Sequence, residues 1–160
     1  MASTIIKKII STAKAPRPAA PYNQAVVVDR TVYLSGVLGI DKDSGKLVAG
    51  GAVPEAVKAL ENMQNILAAA GSKVENVIKC TVLLNDIADF GNVNQEYVKS
   101  LYNKTYKRSN NILSLSFSVF TSNYPVRTCF QAGKLPLGAS VEIEVIALTG
   151  DVKVETVNVD

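Results

Sequence analysis

Histidine is missing from the 160-residue chain altogether. That absence removes Ser-His-Asp and Cys-His catalysis, and with them the commonest zinc ligand. Tryptophan is absent too, and aromatic residues make up only 6% of the sequence, so few platforms exist on which bases could stack. Cysteine is scarce. Cys80 and Cys129 lie far apart, neither has a CxxC partner, and they read as buried thiols of a reducing compartment rather than a disulfide framework. Charge is thin as well: 17 basic residues against 14 acidic ones leave a net +3, and the basic residues are scattered. A dedicated nucleic-acid binder concentrates them on one face. No apolar run is long enough to cross a bilayer, and the start, Met1 to Ile10, is too short and too interrupted for a secretory segment. A cytoplasmic location is the default, with a mitochondrial or nuclear pool left open by the basic, acid-free N-terminus.

What remains is ordinary globular material: 48% hydrophobic and 19% charged residues, enough for one domain over 1–160 with its own core. Residues 5–10 read as a first strand. Residues 15–21, rich in proline and alanine, read as a connection with few backbone donors. Residues 25–29 and 31–36 form a hairpin turning at Asp29-Arg30. In 53–70 the residues Val53, Val57, Leu60, Met63, Leu67 and Ala70 recur at helical spacing, and Gly71 is a natural stop. Residues 77–84 are a short β-branched run, hence a buried strand. A second amphipathic helix is expected from Asp89 to about Tyr106, with Phe90, Val93, Tyr97, Leu101 and Tyr102 inward. Strands at 126–132 and 140–148 follow, joined by a turn at 135–138. The order β-β-β-α-β-α-β-β argues an α+β sheet with both helices on one face. Residues 107–120 do not fit that order: Leu113, Leu115, Phe117 and Val119 alternate with serines, a period-two pattern that reads as an extra strand or an insertion.

Candidate chemistry begins with charges placed inside apolar β-type segments, where they are rarely found unless used. Arg127 offers a planar fork for a carboxylate or phosphate, although a lone strand arginine more often pairs with a surface acid. Glu142 and Glu144 share one strand face, and either could hold a water; a solvated face is the plainer account of the pair. Cys129 has no histidine to activate it and reads as packing, with its backbone N–H available to a ligand. Tyr22 could close a pocket or pack on the sheet. The Ser35-Gly36 step marks a bend or a close backbone approach. Gly50-Gly51 is too short for a phosphate loop.

Taken together, several stretches resemble the Rid family of reactive intermediate deaminases, also called YjgF. They are residues 9–16 (Ile-Ile-Ser-Thr-Ala-Lys-Ala-Pro), 21–25 (Pro-Tyr-Asn-Gln-Ala), 34–36 (Leu-Ser-Gly), 69–72 (Ala-Ala-Gly-Ser), 89–94 (Asp-Phe-Gly-Asn-Val-Asn), 124–129 (Tyr-Pro-Val-Arg-Thr-Cys) and 141–147 (Val-Glu-Ile-Glu-Val-Ile-Ala). They cover most of the chain in the right order, the first being nearest the animal members. The resemblance implies a chorismate-mutase-like α+β fold, assembled as a homotrimer with active sites in the clefts between subunits. It implies hydrolysis of 2-enamines and 2-imines, such as 2-aminoacrylate, 2-iminobutanoate and 2-iminopropanoate, to 2-oxo acids and ammonia, without metal or organic cofactor. By the same resemblance Arg127 clamps the substrate carboxylate and Glu142 positions the attacking water, while Tyr22, Ser35, Gly36 and the backbone of Cys129 line the pocket. Members are also described as ribonucleases and translation inhibitors, so an RNA-directed role is the alternative, and a non-catalytic carboxylate-binding or chaperone-like trimer is a third reading. Residues 107–120 depart from the family pattern; joining Tyr106 to Thr121 restores its usual length.

Overall fold

The computed structural model describes residues 4–98 and 123–157. Six strands form one sheet: β1 (Lys7–Ile10), β2 (Ala25–Val28), β3 (Thr31–Leu38), β4 (Val77–Leu84), β5 (Val126–Gln131) and β6 (Val141–Leu148). Two helices, α1 (Ala52–Ala69) and α2 (Phe90–Val98), complete the described elements with three short 3-10 turns. The strand order is β1-β2-β3-β6-β4-β5, antiparallel except for the β4–β5 pair. The last strand therefore slots between β3 and β4, which α1 connects, and β5 lies at the edge. The α+β order read from the sequence is the one observed, and the ends of the strands and of α1, with the start of α2, lie within about two residues of expectation, as is usual for such boundaries.

The local causes are clear. Helix α1 ends where Gly71 takes φ +73°, and the Gly71 N–H and Ser72 N–H donate to Ala68 O and Leu67 O, which satisfies carbonyls that the helix leaves bare. Pro54 sits in the first turn, where a missing N–H costs nothing. Along β6 the residues Val141, Ile143, Val145 and Ala147 are buried, and they join Val32, Leu34, Cys80, Val82 and Leu84 on the face that α1 covers with Leu60, Met63, Ile66 and Leu67. Burying a side chain of that size contributes about 1.5–3 kcal/mol, so this layer is the main source of stability.

Strand alternation sends the intervening residues to the other face. There Tyr33, Thr81, Leu83, Thr128, Phe130, Glu142, Glu144 and Ile146 sit in register, and among the described residues no helix lies over them. Tyr33 and Phe130 are 48% and 46% exposed, large apolar groups left at a bare sheet face. Phe90, expected to face inward, is instead 41% exposed at the start of α2, while Val93 and Tyr97 are buried. The expected continuation of α2 to Tyr106 and the departure at 107–120 lie outside the described residues. Among the described residues no helix is long and apolar enough to cross a membrane.

Candidate functional site

The site begins with a fault in the sheet. Leu34 pairs with Val145 and Val37 with Ile143, so β3 carries one residue more than β6 between them. Such a bulge bends a strand and re-aims its residues. Here the bulge carries Ser35 and Gly36, so the two residues lie inside β3 rather than at its end. Ser35 is tied down on both sides: its N–H donates to Gln24 O at 3.1 Å, and its hydroxyl donates to Asn23 O at 2.7 Å.

Gly36 leaves room for a carboxylate. A Cβ built there would fall 1.9 Å from Glu142 Oε1 and 2.7 Å from its Cδ, so only glycine allows Glu142 to lie against the bulge. The requirement is one of space, since Gly36 is not among the residues of positive φ. Glu142 is half-buried, and burial raises its pKa; the neighbouring charge of Glu144 adds to the rise. Glu144 itself is exposed.

These residues border a cavity of about 370 Å³. Tyr22, Ser35, Gly36 and Glu142 meet in it, walled by apolar groups that include Leu38, Ile66 and Leu137. One wall is the strap of residues 16–20, and Gln24 anchors it. That side chain is 5% exposed; its Nε2 donates to Thr12 O at 3.1 Å and Pro16 O at 2.8 Å, and its Oε1 accepts from Thr12 N–H at 2.7 Å. Asn62 secures the opposite wall by donating to the carbonyls of Leu38 and Ile40. Glu55, on α1 and 5% exposed, accepts from Ser140 N–H at 2.7 Å and from its hydroxyl at 3.0 Å, which pins the start of β6 two residues before Glu142.

Arg127 and Cys129 are elsewhere. Arg127 pairs with Cys80, a residue of the helix-covered face, so its side chain leaves the sheet on the side opposite to Glu142. Its Nη1 donates to Asn94 Oδ1 of α2. The guanidinium carbon lies 4.3 Å from the centre of the Tyr97 ring and 5.9 Å from that of Phe90. Nε and Nη2 are buried without a hydrogen-bond partner among the described residues. The half-buried Cys129 thiol lies on the same face; burial raises its pKa, and Arg127 opposes that rise without cancelling it. Cys80 is fully buried, which pushes its thiol up to about 11, too high for a nucleophile at neutral pH.

The structure thus brings together four of the six residues that the resemblance assigns to the site and places Arg127 and Cys129 across the sheet from them. Gln24, Glu55, Asn62, Asn94 and Tyr97 were not singled out. Buried polar residues at helical or strand positions are legible only once their partners are known. Among the described residues no cluster of three or more His, Cys, Asp or Glu side chains is placed to hold a metal.

The Endoribonuclease L-PSP family matches residues 12–149. A relative from Drosophila melanogaster, RutC family protein UK114, is 54% identical over 155 residues, which is 97% of this chain and 99% of the relative. A protein from Homo sapiens named 2-iminobutanoate/2-iminopropanoate deaminase is 47% identical over 148 residues, 92% of this chain and 94% of the other. Among solved structures, E. coli TdcF with bound serine superposes with a TM-score of 0.71 at 31% identity, covering 89% of this chain and 99% of that one. Likeness of that extent in sequence, along nearly the whole chain, has one meaning: the chain belongs to the Endoribonuclease L-PSP family, the Rid or YjgF family.

Proposed function

We propose that this protein is a 2-imino acid deaminase that hydrolyses 2-iminobutanoate, 2-iminopropanoate and their enamine tautomers to 2-oxo acids and ammonia. The observation that carries the proposal is the carboxylate of Glu142 laid on Gly36 inside a cavity that Ser35 and Tyr22 also line. An imine carbon is already electrophilic, so positioning and one proton acceptor suffice. Glu142 takes a proton from water as its oxygen bonds to C2. That proton passes to nitrogen to give the tetrahedral hydroxy-amine. Glu142 then takes the remaining hydroxyl proton and delivers it to the amine as the C2–N bond breaks, so ammonia leaves and the oxygen becomes the 2-oxo group. One water is consumed and one ammonia released. A carboxyl whose pKa is raised suits both halves of that exchange.

Arg127 supplies the clamp for the substrate carboxylate, and it does so from a neighbouring copy. Within one chain Arg127 and Glu142 leave opposite faces of the sheet, so no single substrate touches both. A homotrimer with a site in each cleft brings the Glu142 side of one copy against the Arg127 side of the next. The uncovered apolar face around Tyr33 and Phe130 supplies surface for that assembly. The homologue named as a deaminase and the neighbour with bound serine support a small amino-acid-like carboxylate as the ligand.

The test is complementation. Arg127→Ala and Glu142→Gln each abolish acceleration of imine hydrolysis. Unfolding and reassembling the two variants together restores activity, because a cleft with Glu142 from one chain and Arg127 from the other is intact. For equal, random mixing that is about a quarter of the clefts. A pair of variants that stays inactive as mixed trimers removes the shared site.

A further inference from the structure

A guanidinium clamps a carboxylate well only if its plane is fixed before the ligand arrives. Arg127 stands on β5, which among the described residues is the edge strand, with a ladder partner on one side. Its orientation comes from α2. The guanidinium carbon lies over the ring of Tyr97, a residue 3% exposed, 4.3 Å from its centre, and the Tyr97 hydroxyl lies against the thiol of Cys80, the residue paired with Arg127. Asn94, three residues earlier on the same helix, accepts from Nη1. What is left is the edge formed by Nε and Nη2, two buried donors without a hydrogen-bond partner among the described residues, although the weakly accepting thiol of Cys129 also lies against the guanidinium. Buried donors of a charged group demand an acceptor, and parallel donors of this spacing match the two oxygens of a carboxylate.

We infer that Tyr97 is the positioning residue of this site: its ring fixes the plane of Arg127 so that the Nε–Nη2 edge, and not the Nη1 end spent on Asn94, receives the substrate carboxylate. The inference rests on the reading of Arg127 as the carboxylate clamp. Tyr97 acts through Arg127, so its loss weakens binding of every 2-carboxylate while leaving the proton chemistry at Glu142 alone. The quadrupole of the ring does the work, and the hydroxyl is dispensable.

The experiment uses the full-length protein and two readouts: calorimetric affinity for 2-oxobutanoate, the unreactive product, and separate kcat and KM for 2-iminobutanoate. Tyr97→Phe stays within about twofold of the parent in both, since the face of the ring is kept. Tyr97→Leu weakens 2-oxobutanoate binding and raises KM by about tenfold, with kcat nearly unchanged. Tyr97→Met fills the space without a ring and serves the same purpose if the leucine variant does not fold. Val93→Ala, a buried position one turn earlier on α2, is the structural control: it lowers stability and leaves affinity and KM unchanged. The inference is overturned if the leucine and methionine variants bind like the parent, or if Val93→Ala weakens binding as much as they do. A parent that binds 2-oxobutanoate with this pattern but turns over no imine overturns the deaminase reading and keeps the role of Tyr97.

Discussion

Substituting Gly36 by alanine separates the site from the fold more sharply than removing Glu142 does. The new methyl group would start 1.9 Å from Glu142 Oε1, and an ordinary contact begins near 3.4 Å, so the carboxylate must retreat by about 1.5 Å. Displacing a reacting group by about 1 Å costs on the order of 100-fold in rate. We therefore expect kcat/KM for 2-iminobutanoate to fall at least 100-fold. Stability should barely change. The clash is with the far end of a flexible, half-exposed side chain, and the backbone at 36 is open to any L-residue. Alanine also restricts the unfolded chain, worth about 0.4–1 kcal/mol in favour of folding, against a packing strain of similar size. Urea unfolding of Gly36→Ala should thus lie within about 1 kcal/mol of the parent. A folded variant that keeps a third or more of its activity would falsify the placement of Glu142 at the reacting carbon. A variant that fails to fold would show that the bulge is structural first.

Four further expectations follow from the same structure. Phe130→Lys puts a charge on the bare sheet face, so light scattering should report monomer in place of trimer and deamination should vanish; a trimeric, active variant would place the interface elsewhere. Glu144→Gln removes the second cause of the raised Glu142 pKa, after burial, so the acid limb of the kcat/KM profile should move to lower pH. The stability sign is the opposite of a salt-bridged acid. A carboxyl raised on folding binds protons more tightly in the native state, so its contribution is present below its ordinary pKa and lost as pH rises through the folded value. Glu142→Gln should flatten that decline, and a parallel decline in both proteins would exclude it. Gln24→Leu leaves the Thr12 N–H and the carbonyls of Thr12 and Pro16 without their buried partner, which costs about 2–4 kcal/mol by denaturant unfolding; a loss below 1 kcal/mol would mean water replaces the amide.

The architecture was legible because each element carries its own period. Val141 to Val145 alternates apolar with acidic residues, α1 repeats its apolar stripe to a glycine stop, and the β4 run matches its strand end for end. The site was legible one residue at a time, by type and by family resemblance, but its geometry was not. Side-chain direction depends on register, and nothing local tells that Arg127 faces the residues of Cys80 while Glu142 faces Leu83. A single-residue slip would have put them together. The bulge at Ser35-Gly36 was hidden for the same reason: the pattern of β3 alone shows a glycine, and only its pairing with β6 shows an extra residue. Tyr97 was read as core, which its burial supports, and its contact with Arg127 depends on where an edge strand lands under α2.

The opposite placement of Arg127 and Glu142 has a physical logic of its own. An arginine and a glutamate free to meet within one chain would form an ion pair, and a clamp already holding a carboxylate cannot take another. Keeping them on different faces leaves Arg127 to the aromatic ring of Tyr97 and the neutral amide of Asn94, neither of which neutralises its charge. It leaves Glu142 with Glu144 as its charged neighbour, which raises its pKa instead of lowering it. Both groups are therefore kept in the state the proposed reaction needs, the cation without an acidic partner among the described residues and the carboxyl easily reprotonated. In the proposed trimer, assembly brings them to one substrate without bringing them to each other, because the substrate carboxylate and its C2 carbon stand between. On this account the oligomer is part of the catalyst, and activity should fall with protein concentration wherever the trimer begins to dissociate.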